Sequence, residues 1–201
     1  MEVYIDNQKT NFGRRSKDLE KILKAISKKL EKNEKVIQNI YINGNNIQDN
    51  IVLDIDMDRP NIMEVETKSY TDLILDSLTV SKEYIDTYFE VKEDFQQLIE
   101  NNEKISAFDI EETDSFLNWF SDLLYFLVEN YAFAFQSLRE TMETFREELV
   151  TLAELKEKKD YITYVTTLDY YVSDILENFK TSIDYYYKSI LKEVEQKQIV
   201  F

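Results

Sequence analysis

Residues 69–102 read SYTDLILDSLTVSKEYIDTYFEVKEDFQQLIENN, and this stretch decides the fold. Ser69-Tyr70-Thr71-Asp72 has the form of a capping box: the serine covers an orphan N–H of the first helical turn and the aspartate reaches back. Behind it Ile74, Leu78, Ile85, Tyr88, Phe95 and Ile99 recur in threes and fours, and Tyr84, Val91 and Leu98 widen the seam. The spacing predicts a helix over Tyr70–Asn102, on the order of 50 Å long at about 1.5 Å per residue. No glycine or proline occurs from Asn61 to the C-terminus, a run of 141 residues. Sheets and tight turns rarely manage without either residue, so the chain from Ser69 on reads as packed helices.

Two more seams follow. Phe116, Phe120, Leu123, Leu127, Tyr131, Ala134, Leu138, Phe145, Leu149 and Leu152 form the second. The sequence leaves open whether that helix runs straight to Lys156 or breaks near Tyr131–Gln136. Asn101-Asn102 and the acidic stretch Asp109–Asp114 read as its connection to the first, with Asp109–Glu112 or Thr113 as its cap. After a polar link at 156–160, with Asp160 as cap, Tyr161, Val165, Leu168, Val172, Ile175, Phe179, Ile183, Tyr186, Ile190 and Val194 make the third. The expected architecture is a long antiparallel bundle of three helices, or four if the second seam breaks, with coiled-coil-like packing.

Turn chemistry is concentrated before residue 61, where both glycines (Gly13, Gly44) and the single proline (Pro60) lie. Val3–Ile5 is a β-prone run followed by the polar turn Asp6–Lys9 and a return strand to Phe12. Ser16 then reads as a helix N-cap with Asp18 in the first turn, and Leu19, Ile22, Leu23, Ile26 and Leu30 make one apolar stripe ending near Asn33. Val36–Ile42 is the next strand, closed by the turn dipeptide Asn43-Gly44. Ile51, Leu53, Ile55 and Met57 alternate as in a half-buried strand, and Ile62–Glu66 is the last strand.

The order hairpin, helix, strand, Asn-Gly turn, strand resembles the β-grasp arrangement of ubiquitin-like and sulfur-carrier proteins. The residues that carry the resemblance are Val3–Ile5, Leu19–Leu30, Ile40–Gly44 and Met63–Val65. Sulfur carriers end in Gly-Gly, whereas Thr67-Lys68 here runs on into a long chain, so the resemblance implies topology and not carrier chemistry. The fold class is therefore α+β: a β-grasp-like module over residues 1–68 and an acidic all-α bundle over 69–201.

Charge divides at the same place. The chain carries 40 acidic and 24 basic side chains, net −16. Residues 1–68 hold 12 of each, and the remainder carries the whole excess along with 24 of the 27 aromatic residues. Such a bundle repels phosphates, so neither nucleic acid nor an anionic membrane is an expected partner. No apolar run is long enough to span a bilayer and no basic-led apolar leader opens the chain, so a cytoplasmic protein is expected. The excess of Lys over Arg, with much Asn, Ile, Tyr and Phe, resembles the output of an AT-rich bacterial genome.

Histidine and cysteine are both absent. That excludes His- or Cys-based triads, thiol redox chemistry, Cys/His zinc sites and the Glu-x-x-His pairs of two-metal carboxylate bundles. No phosphate-binding Gly-x-x-x-x-Gly-Lys loop occurs. Asp54, Asp56 and Asp58 have the spacing of the first ligands of an EF-hand loop, but Arg59 and Val65 stand where glycine and glutamate are needed. They read as the wet face of a strand, so no metal and no cofactor is expected. The basic stretch Arg14–Lys35 reads as the solvated back of an amphipathic helix, its rival reading being a docking face.

What remains are contact surfaces. Tyr185, Tyr186 and Tyr187 sweep about 200° of helical arc, so with Tyr186 in the core its neighbours sit exposed at the margins. Tyr170 and Tyr171 raise the same point earlier in the helix, and Glu111 and Glu112 are surface carboxylates near the start of the second seam. Tyrosine offers a rigid contact area with a polar tip, which protein interfaces favour. The expected function is a non-enzymatic protein–protein interaction module, an adaptor or regulator with an unidentified protein partner, self-associating through an exposed seam. One alternative is an acidic chaperone-like or decoy protein sequestering a basic client. Another is a carboxylate-based hydrolase with its site between the two units.

Overall fold

The computed structural model describes residues 1–12, 18–47, 60–131 and 135–199, the side chains of 197–199 excepted. The fold is α+β and divides into two compact units, Met1–Leu73 and the residues from Ile74 onward. Each has its own apolar core.

Among the described residues the first unit is a five-stranded sheet with one helix. Its strands are β1 (Glu2–Ile5), β2 (Gln8–Thr10), β3 (Lys35–Ile42), β4 (Asn45–Asn46) and β5 (Ile62–Ser69), with α1 (Leu19–Glu31) between β2 and β3. The spatial order is β2-β1-β5-β3-β4. β1 runs parallel to β5, with Val3 beside Met63, and the β1–β2, β3–β5 and β3–β4 pairs are antiparallel. Val3, Ile40, Ile42, Met63 and Val65 bury one face against Ile22, Ile26 and Leu30 of α1.

The expected turn over Asp6–Lys9 is tighter than four residues. Asp6 and Asn7 alone form it, at φ 48° and 64°, because Ile5 already pairs with Gln8. Two successive left-handed residues match the twist of a two-residue hairpin, and Asp and Asn tolerate that region. Asn43 and Gly44 repeat the device at φ 52° and 82°. Nothing lies within 4 Å of where a Gly44 Cβ would sit, so the glycine serves the backbone angle and not the space. Asp18, expected inside the first turn, is the N-cap of α1, accepting from the Lys21 N–H. Ser16, the strand expected over 51–57 and the Asp54/Asp56/Asp58 triplet lie outside the described residues. The last strand extends three residues beyond the expected Glu66, and Tyr70 N–H then donates to the Glu34 carbonyl at 2.8 Å, tying the next helix's start to this unit.

The second unit is built from α2 (Tyr70–Glu100), α3 (Ala107–Asn130), α4 (Leu138–Lys158) and a last rod of α5 (Tyr161–Thr167), a π turn (Leu168–Val172) and α6 (Ser173–Ile199). At the head of α2 the Asp72 N–H donates to Ser69 Oγ at 3.0 Å and Ser69 Oγ donates to the Asp72 carboxylate at 2.6 Å. The acidic stretch Asp109–Asp114, expected as connection, lies inside α3. Ser106 caps that helix instead, accepting from Phe108 N–H, and the acids occupy its first turns, where the helix dipole favours them. The open question over 114–156 resolves as a break: α3 ends at Asn130 and α4 begins at Leu138, so the described residues form four rods.

Cross-links set their directions. Asp86 pairs with Lys180 and Lys92 with Asp169, so α2 and the last rod are antiparallel. Asp114 with Lys156 and Glu129 with Arg139 show the same for α3 and α4. The centre is aromatic: Phe120 meets Phe145 and Phe179 edge-on at 5.1 and 4.8 Å. In the last rod the fully buried series runs Leu168, Val172, Leu176, Phe179, while Ile175, expected in the seam, packs against the same core only partly buried. The π turn adds a residue per turn, so two successive spacings of four keep the stripe on the core.

Candidate functional site

On α2, positions 84, 88, 91, 95 and 98 alternate spacings of four and three, the period of a coiled-coil seam. Tyr88 and Phe95 are buried, but Tyr84 is 47% exposed and Val91 and Leu98 are only half-covered. These five side chains form one wall of a groove of about 740 Å³. α3 supplies the other wall through Thr113, Phe116 and Trp119. The rings touch across it, Tyr84 meeting Trp119 edge-on at 5.2 Å and Tyr88 lying 5.8 Å from Phe116, and within the α3 wall Phe116 stacks at 6.1 Å on Trp119.

Every charged residue lining this groove is acidic: Asp94, Glu103, Asp109 and Glu112. Among the described residues none of these carboxylates has an ion-pair or side-chain hydrogen-bond partner. Some carboxylates elsewhere in the unit do: Asp86, Asp114, Glu129 and Asp169 each hold a lysine or arginine. No group of three or more acidic side chains among the described residues is placed to hold a metal ion.

The groove has a rigid back. Tyr88 donates to the Leu168 carbonyl at 3.0 Å, and the same oxygen accepts from Ser173 Oγ at 2.9 Å and from the Ser173 N–H. Burial pushes the Tyr88 hydroxyl well above the usual tyrosine range; the Ser173 contact opposes that and the nearby Asp169 charge adds to it. Lys92, mostly covered, donates to Asp169 at 2.6 Å and lies 5.5 Å from the Phe89 ring. A second network joins three helices: the buried Tyr164 donates to Asp114 at 2.8 Å, and Lys156 donates to the other carboxylate oxygen. Burial, then the bond to Asp114, raises the Tyr164 hydroxyl in the same direction. No buried side-chain N or O among the described residues lacks a partner.

The tyrosines singled out from the sequence lie on the last rod. Tyr186 is buried, meeting Phe135 at 5.2 Å and Phe179 at 5.1 Å, while Tyr185 and Tyr187 flank it at 62% and 37% exposure. Tyr170 and Tyr171, in the π turn, are 69% and 58% exposed. The two pairs do not form one patch, since about 14 residues separate them, roughly 20 Å along the axis. Glu111 and Glu112 are both exposed on α3, and Glu112 reaches the groove. The groove itself escaped the sequence reading, which placed Tyr84, Val91 and Leu98 in a wide core seam. The signal was the width: nine seam positions on one helix are more than one neighbouring helix covers.

Residues 1–69 match the model of a family described as the TP0873 N-terminal domain, a span that ends with β5. No curated protein and no solved structure matches the chain. No helix among the described residues is long and apolar enough to cross a membrane.

Proposed function

We propose that this protein is a non-enzymatic interaction module, in which a β-grasp-like sheet unit accompanies a helical bundle that contacts another protein. The observation that carries the reading is the set of large side chains the bundle leaves in solvent, with Tyr170, Tyr171 and Tyr185 all more than half exposed. Rigid aromatic side chains with polar tips lose little entropy when they are covered, and so favour contact with a partner. The sheet order, with parallel β1 and β5 at its centre and one helix on one face, supports the β-grasp likeness.

The test is affinity purification from the native cell with the unaltered chain and with the double variant Tyr185→Ala/Tyr187→Ala. A partner recovered with the first and lost with the second, at unchanged helicity by circular dichroism, supports the assignment. Equal recovery overturns it for these tyrosines.

The second reading, sequestration of a basic client, is favoured by the unpaired carboxylates along the α2–α3 groove. Its mark is binding that weakens steeply with salt, because exposed charges are screened over about 8–10 Å at physiological ionic strength.

A further inference from the structure

We infer that the groove between α2 and α3 is the docking site for a basic amphipathic helix of another protein. The inference rests on the interaction-module reading and gives it a location and a chemistry.

Shape argues for a helix. The α2 wall extends from Tyr84 to Leu98, about 21 Å at 1.5 Å per residue, or four helical turns. Its lining residues keep the four-three spacing against which a further helix packs, ridge into groove. An incoming helix with apolar residues at i, i+3 or i+4, and i+7 meets that spacing turn by turn. A compact organic cation would cover one turn and leave the remaining apolar wall wet.

Charge argues for a basic one. Asp94 on α2, Glu103 in the link, and Asp109 and Glu112 on α3 give the groove four carboxylates and, among the described residues, no cation. Lysine or arginine side chains flanking the apolar stripe of an incoming helix would pair with them. A second copy of this bundle would bring acidic surface to acidic surface. The basic helix α1 of this chain is already committed, since Ile22, Ile26 and Leu30 are buried in the sheet unit's core.

The single tryptophan of the chain, Trp119, lines the groove and reports its occupancy directly. The probe is a synthetic peptide of about 14 residues, four turns long, with leucine at every third or fourth position and lysine elsewhere. Its counterpart carries glutamate for every lysine. Titrated into the full-length protein, the lysine peptide should shift Trp119 emission saturably and the glutamate peptide should not. Asp109→Asn with Glu112→Gln should weaken the lysine peptide about tenfold, whereas Glu143→Gln with Glu147→Gln, exposed on α4, should change it less than about twofold. Binding that leaves Trp119 unchanged, or that weakens equally in both double variants, overturns the site and shows diffuse attraction. An equal Trp119 response to tetramethylammonium or spermidine overturns the helix as occupant. A Trp119 shift on concentrating the protein alone assigns the groove to a second copy and overturns the proposal likewise. Peptide binding in the Tyr185→Ala/Tyr187→Ala variant separates the two readings: the groove stands if Trp119 still responds, whatever the fate of the tyrosine surface.

Discussion

The Tyr88 hydroxyl donates to the main-chain oxygen of Leu168 at 3.0 Å, joining α2 to the residue where the last rod widens into its π turn. In that turn the Leu168 carbonyl accepts from the N–H five residues on, and the wider geometry leaves it open to side-chain hydroxyls from two directions. Tyr88→Phe keeps the ring in the groove floor and removes one of those donors. It should cost about 1 kcal/mol in urea unfolding, with amide exchange accelerated at Val172 and Ser173. Unchanged stability and exchange would mean that the contact does not anchor the turn.

Asp114 and Lys156 are partners with unequal consequences. Asp114→Ala leaves the fully buried Tyr164 hydroxyl without its acceptor and should destabilise the protein by about 2 kcal/mol. Lys156 is 40% exposed, so Lys156→Ala should cost less than about 1 kcal/mol. Denaturant midpoints of the two variants, compared at equal m-value, check the order.

Lys159 closes α4 in the left-handed region at φ 57°, with its N–H and that of Asp160 satisfying the last carbonyls. The bundle has no glycine to use there. Lys159→Gly removes the Cβ strain, which exceeds the added entropy of the unfolded chain, and should stabilise by about 0.5–1 kcal/mol in thermal unfolding.

In the sheet unit, partial burial works to raise the Asp6 carboxyl, and it is outweighed by hydrogen bonds from Thr67 Oγ1, Lys35 and the Thr67 N–H, which hold it below the usual value. A carboxyl lowered by folding contributes stability that is fully present above its unfolded pKa of about 3.9 and is lost as pH falls through the folded value. Asp6→Asn keeps the left-handed turn preference but loses the charge. The difference in stability between the unaltered protein and this variant should therefore shrink below about pH 4. A constant difference from pH 7 to pH 3 would contradict the assignment.

Phe120 sits where α3, α4 and α6 converge, edge-on to both Phe145 and Phe179. Phe120→Ala should cost about 3–5 kcal/mol by chemical denaturation. A much smaller loss would mean that the helices collapse onto the vacated space.

The helical seams were legible because a core-facing helix must repeat its apolar residues every three or four positions: Ile74, Leu78, Ile85, Tyr88 and Phe95 are all buried. The Ser106 cap was legible in principle too, with Asp109 three residues on, but the denser acidic run after it drew the assignment away. The deeper burial of Leu176 than of Ile175 was not legible, since a regular helical period does not announce the π turn that precedes them. The break between α3 and α4 was open because the apolar pattern continues through it: Tyr131, Phe135 and Leu138 are as buried as the helices they join.

From the chain alone came the class of structure and the absence of whole chemistries. The long stretch after β5, without glycine or proline, has few alternatives to helix, and a chain without histidine or cysteine has no imidazole or thiol to use. Tertiary structure decided which part of the wide α2 seam is core and which is groove. An amphipathic pattern records how much apolar surface a helix carries, and only the placement of neighbouring helices determines how much of it is covered. Here Tyr88 and Phe95 are buried, whereas Tyr84, Val91 and Leu98 stay partly exposed beside four carboxylates with no ion-pair partner among the described residues.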